Sequence, residues 1–158
     1  MAMARWRQQG DLWILDPSNH PDGDNPSHRQ IKGLIQGQIQ FIGGSYLAAK
    51  PQLSYRRLLE ALALRGWQIA TWSYVPGFDH QGQANAAWRQ FRNLRSQRPN
   101  PGGRPCLRLG HSLGCKLHLL APDGGRGCDG LAALSFNNLL DGPAHLREAK
   151  AALQTLRA

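Results

Sequence analysis

Pro105-Cys106-Leu107-Arg108-Leu109-Gly110-His111-Ser112-Leu113-Gly114 is the stretch whose reading decides the fold. An apolar run of strand length, 105–109, leads into Gly110-x-Ser112-x-Gly114. A mostly apolar, helix-favouring run over 113–121 follows it. Strand, sharp turn carrying one serine, then helix is the context in which G-x-S-x-G forms a nucleophile elbow. Such a turn is tight, so the residues flanking the serine must be small, and Gly110 and Gly114 meet that need. The helix starts beside Ser112, so its free N–H groups and positive dipole end face any oxyanion formed there. The five-letter pattern is weak by itself; the flanking runs give it weight. The plain alternative is a glycine-rich strand-to-helix turn with an idle serine.

Working outward, strand and helix alternate. Gly37 to Ile42 reads as a strand ending at Gly43-Gly44, although Gln38 and Gln40 alternate with Ile39 and Phe41. Pro51 opens a helix running to about Arg65, with Tyr55, Leu58, Leu59 and Leu62 on one face, and Gly66 stops it. Trp67 to Ser73 is the next strand. A helix with Ala84, Ala87, Trp88, Phe91 and Leu94 at helical spacing follows, then the strand and helix around Ser112. Gly130 to Phe136 is the last strand, and Leu146, Ala149, Leu153 and Leu156 mark a terminal amphipathic helix. Asp11 to Asp16 reads as an edge strand. Pro17 to Gln30 reads as a solvated loop; its Asp22, Asp24 and Asn25 lack the glycine and distal glutamate of a calcium loop. This alternation implies right-handed βαβ units, hence an α/β protein with a parallel sheet and helices on both faces.

The 158 residues are expected to form one domain with a real core. Residues 1–30 form a peripheral strand and loop, 31–140 the core, and 141–158 the terminal helix. No apolar run approaches a membrane span, and the N-terminus shows no apolar stretch of a secretory signal. Cys106, Cys115 and Cys128 are odd in number and lack C-x-x-C spacing, which suits reduced thiols in the cytoplasm and argues against a metal site. The net charge of +9 raises the question of nucleic acid. However, the arginines are scattered. On the helix around 84–94, Arg89 and Arg92 flank the apolar face, while Arg95 and Arg98 rotate back onto it, so they form no stripe. No nucleic-acid-binding motif is present, and only weak, non-specific binding is expected.

Five segments occur in one order: Phe41-Ile42-Gly43-Gly44; Pro51-Gln52-Leu53-Ser54-Tyr55-Arg56; Phe78-Asp79-His80; Gly110-His111-Ser112-Leu113-Gly114 with Lys116-Leu117-His118; and Ser135-Phe136-Asn137-Asn138. Together they resemble the α/β-hydrolase-like family of cyanobacteria and plastids known as domain of unknown function 1350. The resemblance spans about Asp11 to Leu140. It implies that the strands at 67–73, 37–42, 105–109 and 130–136 lie side by side in that spatial order. The crevice at the ends of the strands at 37–42 and 105–109 is then a topological switch point, where a ligand sits. It also implies an oxyanion hole made by the N–H of Leu113 and by the Gly43-Gly44-Ser45 loop, with Gly44 and Ser45 as candidate donors.

A serine nucleophile needs a base, normally histidine, held by an acid, and in this fold both follow the serine in the chain. After Ser112 come Asp123, Asp129, Asp141, Glu148 and His145. Asp141 lies just past the last strand and is the candidate acid; capping the terminal helix is its plainer role. His145 falls within that helix and is a weaker base. His80 follows the strand at 67–73 on the same rim, beside Asp79, and is a candidate base of unorthodox position. Its plainer reading is an exposed residue behind an Asp79 helix cap. His118 lies down the helix leading away from Ser112 and reads as structural or surface. His111 should point away from Ser112, because neighbours on an extended strand end alternate. Trp72, Tyr74 and Phe78 read as core.

The leading expectation is a serine hydrolase acting on an ester- or thioester-like bond, in a chain lacking the C-terminal strands of the full fold. No cofactor is implied, and the substrate, small-molecule or lipid-like, is not readable. Two alternatives stay open: a non-catalytic binding or scaffold relative, and a complete but atypical enzyme. A strand at 130–136 with no further neighbour would leave an open sheet edge, a template for self-association.

Overall fold

The structure, a computed structural model, describes residues 5–17, 35–98 and 103–136. Six strands form one mixed sheet in the order β1-β2-β4-β3-β5-β6. They are β1 (Arg7–Gln9), β2 (Leu12–Leu15), β3 (Gly37–Ile42), β4 (Trp67–Trp72), β5 (Cys106–His111) and β6 (Gly130–Leu134). The helices are α1 (Pro51–Ser54), α2 (Arg56–Leu64), α3 (His80–Gln97) and α4 (Leu113–Leu119), with a 3-10 turn at Leu47–Ala49. Strands β4, β3, β5 and β6 are parallel neighbours in the spatial order that the family resemblance implies. The expected strand at 11–16 is present but is not an edge. It is β2, antiparallel to β4 on one side and to β1 on the other. The outer strand β1 was illegible because all three of its residues are polar and exposed. Its hairpin turn, Gly10-Asp11, puts glycine first at φ +59, a pattern that tight hairpins favour.

Period-two alternation divides the strand residues between two cores. Ile39, Phe41, Ile69 and Leu15 face α2 and pack on Leu59 and Ala63. Ile42, Ala70, Trp72, Leu12 and Ile14 face α3 and α4 and pack with Ala84, Ala87, Phe91, Leu94 and Leu117. The chain therefore leaves β3 over one face and β5 over the other, and the switch point falls between their C-terminal ends. The expected helix over 51–65 is split at Tyr55, whose backbone (φ −108, ψ 17) departs from helical geometry. Tyr55 is the residue whose side chain is anchored in the candidate site described below.

Two polar groups are built into the α3/α4 side. His118 is 2% exposed, its Nε2 lies 3.2 Å from the Leu109 carbonyl, and its ring stacks near Phe91. It is thus structural. Burial, helped by the Arg108 charge, pushes its pKa down to about 3. Arg108 and Asp123 form a two-pronged pair, Nη1–Oδ1 2.7 Å and Nη2–Oδ2 2.6 Å, which ties the α4–β6 loop to the sheet. Trp88 Nε1 and the Gly125 N–H also donate to Asp123. Burial alone would raise the Asp123 carboxyl; these donors and the Arg108 charge outweigh it and hold the pKa at about 2.

The three cysteines are free thiols. Among the described residues no helix is long and apolar enough to cross a membrane. Strand β6 ends the sheet formed by the described strands, with Ala132, Ala133 and Leu134 exposed. Residues 137–158, with the expected terminal helix, Asp141, His145 and Glu148, lie outside the described residues, as does the expected loop around Asp22, Asp24 and Asn25.

Both His118 and the half-buried Asp123 make stability depend on pH. His118 is neutral in the folded chain while an unfolded histidine titrates near 6.5, so its contribution is complete above about pH 6.5 and is lost as pH falls. The Asp123 contribution is complete above about pH 4 and is lost as pH falls toward its folded value. Urea unfolding as a function of pH should show stability declining from about pH 6.5 downward with a slope near one proton, steepening below about pH 4. Asp123→Asn strands the buried Arg108 charge and should cost about 3 kcal/mol at pH 7.

Candidate active site

Ser112 sits between β5 and α4 with φ 52 and ψ −119, one of three non-glycine residues at positive φ among the described residues. L-residues enter this region at a cost of order 1–3 kcal/mol, and only where the surroundings enforce it. Here both sides of the turn enforce it. The Ser112 N–H donates to the Leu134 carbonyl at 3.0 Å, and the Ser112 carbonyl accepts from the Cys115 N–H at 3.1 Å. The flanking glycines are required by space. A Cβ at Gly114 would collide with the Ile42 carbonyl, and one at Gly110 would lie 2.6 Å from the Cys115 nitrogen. The start of α4 is thus pressed against the end of β3. The side chain of Ser112 is partly exposed and makes no hydrogen bond among the described residues.

The Gly43-Gly44-Ser45 loop lies against this turn: a Cβ at Gly44 would be 3.1 Å from Ser112 Cβ and 3.1 Å from His111 Nδ1. Two tyrosines hold the loop. Tyr74 Oη donates to the Gly43 carbonyl at 2.8 Å, with its ring stacked on Trp72. Tyr55 Oη accepts from the Gly44 N–H at 2.8 Å and lies 2.8 Å from His111 Nδ1. Tyr55 Oη thus bridges the Gly44 N–H and the His111 ring. Burial raises the pKa of both tyrosines. The Gly44 N–H, expected in the oxyanion hole, is thus already committed to Tyr55. His111, expected only to point away from Ser112, is the far anchor of the network that positions the loop.

His80 is the first residue of α3, and its Nδ1 lies 3.1 Å from Lys116 Nζ on α4. Asp79 is the cap of α3, its Oδ1 accepting from the Gly82 N–H at 2.8 Å. Trp72 and Tyr74 are core residues, 5% and 6% exposed, whereas Phe78, also expected in the core, is fully exposed. Phe78 and the exposed Val75 border a cavity of about 740 Å³ between the loops after β4 and the 3-10 turn. Ser112 does not line it.

Tyr55 is the residue of the candidate site whose place sequence reasoning missed. Its signal was present: a tyrosine on the apolar face of a helix just after a Gly-Gly turn must bury its ring and still find a partner for its hydroxyl.

Among curated proteins, none matches the chain. Among solved structures it is similar to a "putative thioesterase" from Silicibacter sp. TM1040, at 17% identity and a TM-score of 0.49, covering 74% of this chain and 42% of that one. It is also similar to the siderophore hydrolase EstB from Aspergillus fumigatus, at 13% identity and a TM-score of 0.54, covering 98% of this chain and 52% of that one. The chain thus spans about half the length of these proteins. With the strand order above, the likeness to EstB shows an α/β-hydrolase-like fold. A family model described as protein of unknown function (DUF1350) matches residues 31–142, and the chain belongs to that family.

Proposed function

We propose that the chain is a serine hydrolase domain in which Ser112 Oγ attacks the carbonyl carbon of an ester- or thioester-like bond. The observation that carries this reading is the Ser112 backbone at φ 52 and ψ −119, where strand meets helix. A serine with no catalytic role gains nothing from that strain, and glycine would serve the turn better. In the proposed step Oγ bonds to the carbonyl carbon, its proton passes to a base, and the carbonyl oxygen becomes an oxyanion. The Leu113 N–H, at the first position of α4 and without an intrahelical acceptor, is one donor to that oxyanion. The Ser45 N–H is the second, with Gly44 positioned by Tyr55 rather than donating. Collapse expels the alcohol or thiol, which takes the proton, and water then releases the acyl group.

Among the described residues no imidazole or carboxylate is hydrogen-bonded to Ser112 Oγ. Asp141 as acid and His145 as base therefore remain candidates outside those residues, and His80 would have to leave Lys116 to serve. This same observation favours the second reading, a non-catalytic binding or scaffold relative using the crevice at the ends of β3 and β5.

Treatment with a fluorophosphonate probe and peptide mapping distinguishes the two. The proposal expects an adduct on Ser112, lost in Ser112→Ala. A folded protein that labels elsewhere, or nowhere, supports the non-catalytic reading. Ser112→Gly should raise the urea midpoint by an amount equivalent to about 1 kcal/mol, because it relieves the positive φ. Tyr55→Phe leaves the Gly44 N–H and His111 Nδ1 without their partner. It should cost about 1–2 kcal/mol of stability and slow labelling of Ser112.

A further inference from the structure

Ser112 follows the C-terminal end of β5. The opposite end of the sheet, about 20 Å away along the strands, holds a cavity of about 790 Å³ between the sheet and the second half of α3. Its floor is polar where a helix-covered sheet is normally apolar. Register sets Gln38 of β3 beside Gln68 of β4 and Cys106 of β5, and Gln40 beside Arg108. The glutamines form a chain: Gln40 Nε2 reaches Gln38 Oε1 at 3.4 Å, Gln38 Nε2 donates to Gln68 Oε1 at 2.8 Å, and Gln68 Nε2 donates to Asp16 at 2.5 Å. Gln40 is only 2% exposed.

The walls are cationic. Arg92, Arg95, Arg98, Arg104 and Arg108 all line the cavity, against Asp123 as the one carboxylate among the described lining residues. Arg108 is matched by Asp123, and Arg98 lies 3.2 Å from Asp16. Among the described residues Arg92 and Arg95 have no carboxylate partner: Arg92 lies over the Trp88 ring at 5.1 Å, and Arg95 donates to the Gly127 carbonyl at 2.9 Å. Trp88, Arg92 and Arg95 fall at helical spacing on one face of α3, so both guanidinium groups are presented to the same space. Like charges gathered at one cavity repel, and a bound anion removes that repulsion.

We propose that this cavity binds a small phosphate-bearing molecule, with Arg92 and Arg95 gripping the phosphate and the Gln38-Gln40-Gln68 floor holding neutral polar groups. Guanidinium donors match phosphate oxygens in pairs, and the volume lies in the range of small-molecule sites. The site is remote from Ser112, so it stands whether or not Ser112 is a nucleophile.

Inorganic pyrophosphate is the probe, titrated by calorimetry into the whole chain at about 150 mM salt. Wild type should bind one equivalent. Arg92→Ala with Arg95→Ala, both at solvent-accessible positions, should keep the thermal melt and weaken binding about tenfold or more. Arg57→Ala, an exposed arginine on α2, should bind as wild type does. No binding to folded wild type overturns the proposal, as does equal weakening by Arg57→Ala, which would mark general charge attraction. A single-stranded oligonucleotide is the third titrant. Tighter binding than pyrophosphate, with a steep salt dependence and no competition by pyrophosphate, would assign the arginines to a nucleic-acid backbone and overturn the small-molecule site.

Discussion

The contact on which the rest depends is that of Gly114 with the carbonyl of Ile42. It sets how closely the first turn of α4 approaches the end of β3, closer than any side chain would permit. Because β3 and β5 are adjacent and parallel, that approach fixes where Ser112 emerges relative to the Gly43-Gly44 loop. Gly110 does the same from the other side, leaving room for the Cys115 backbone beneath it. With both flanks fixed, the single residue between them absorbs the change of direction, which is why a serine occupies a conformation better suited to glycine.

The loop beside Ser112 is held by a different kind of force. Its backbone is fastened from the β4 side by Tyr74 and from the α2 side by Tyr55. Each tyrosine has its ring in a core and its hydroxyl on a backbone group, so apolar burial on the two faces of the sheet is converted into a fixed loop geometry. His111 completes the arrangement, its Nδ1 lying within hydrogen-bond distance of the Tyr55 hydroxyl. The split between α1 and α2 falls at Tyr55 itself, where helical continuity gives way at the anchoring residue.

The sequence made the parallel core legible because its strands and helices are punctuated by glycine and proline and carry strong apolar periodicity. The place of Ser112 between strand and helix was legible for the same reason, since G-x-S-x-G encodes backbone space. What it did not reveal has physical reasons too. Arg7–Gln9 is polar on both faces, so no period marks it as a strand. The Tyr55–Gly44–His111 network joins residues far apart in the chain, and no local pattern announces which hydroxyl meets which N–H. Phe78 is aromatic beside a strand end, which normally means core, yet it is fully exposed at the mouth of a loop.

The arginines illustrate the same limit in its sharpest form. In sequence they are scattered and make no stripe. In the fold, two on the second half of α3 and one just past its end meet two that enter and lie within β5, because the crossover from β4 to β5 brings the end of that helix over the start of those strands. The two glutamines that made β3 read as a half-polar strand then supply the opposite wall. Their alternation with Ile39 and Phe41 separates an apolar face packed on α2 from a polar face turned to a cavity rather than to bulk water. A net charge of +9 is therefore not evenly distributed. Part of it is concentrated where the sheet carries amides instead of carboxylates, and a cleft lined by one sign of charge raises the local concentration of the opposite ion.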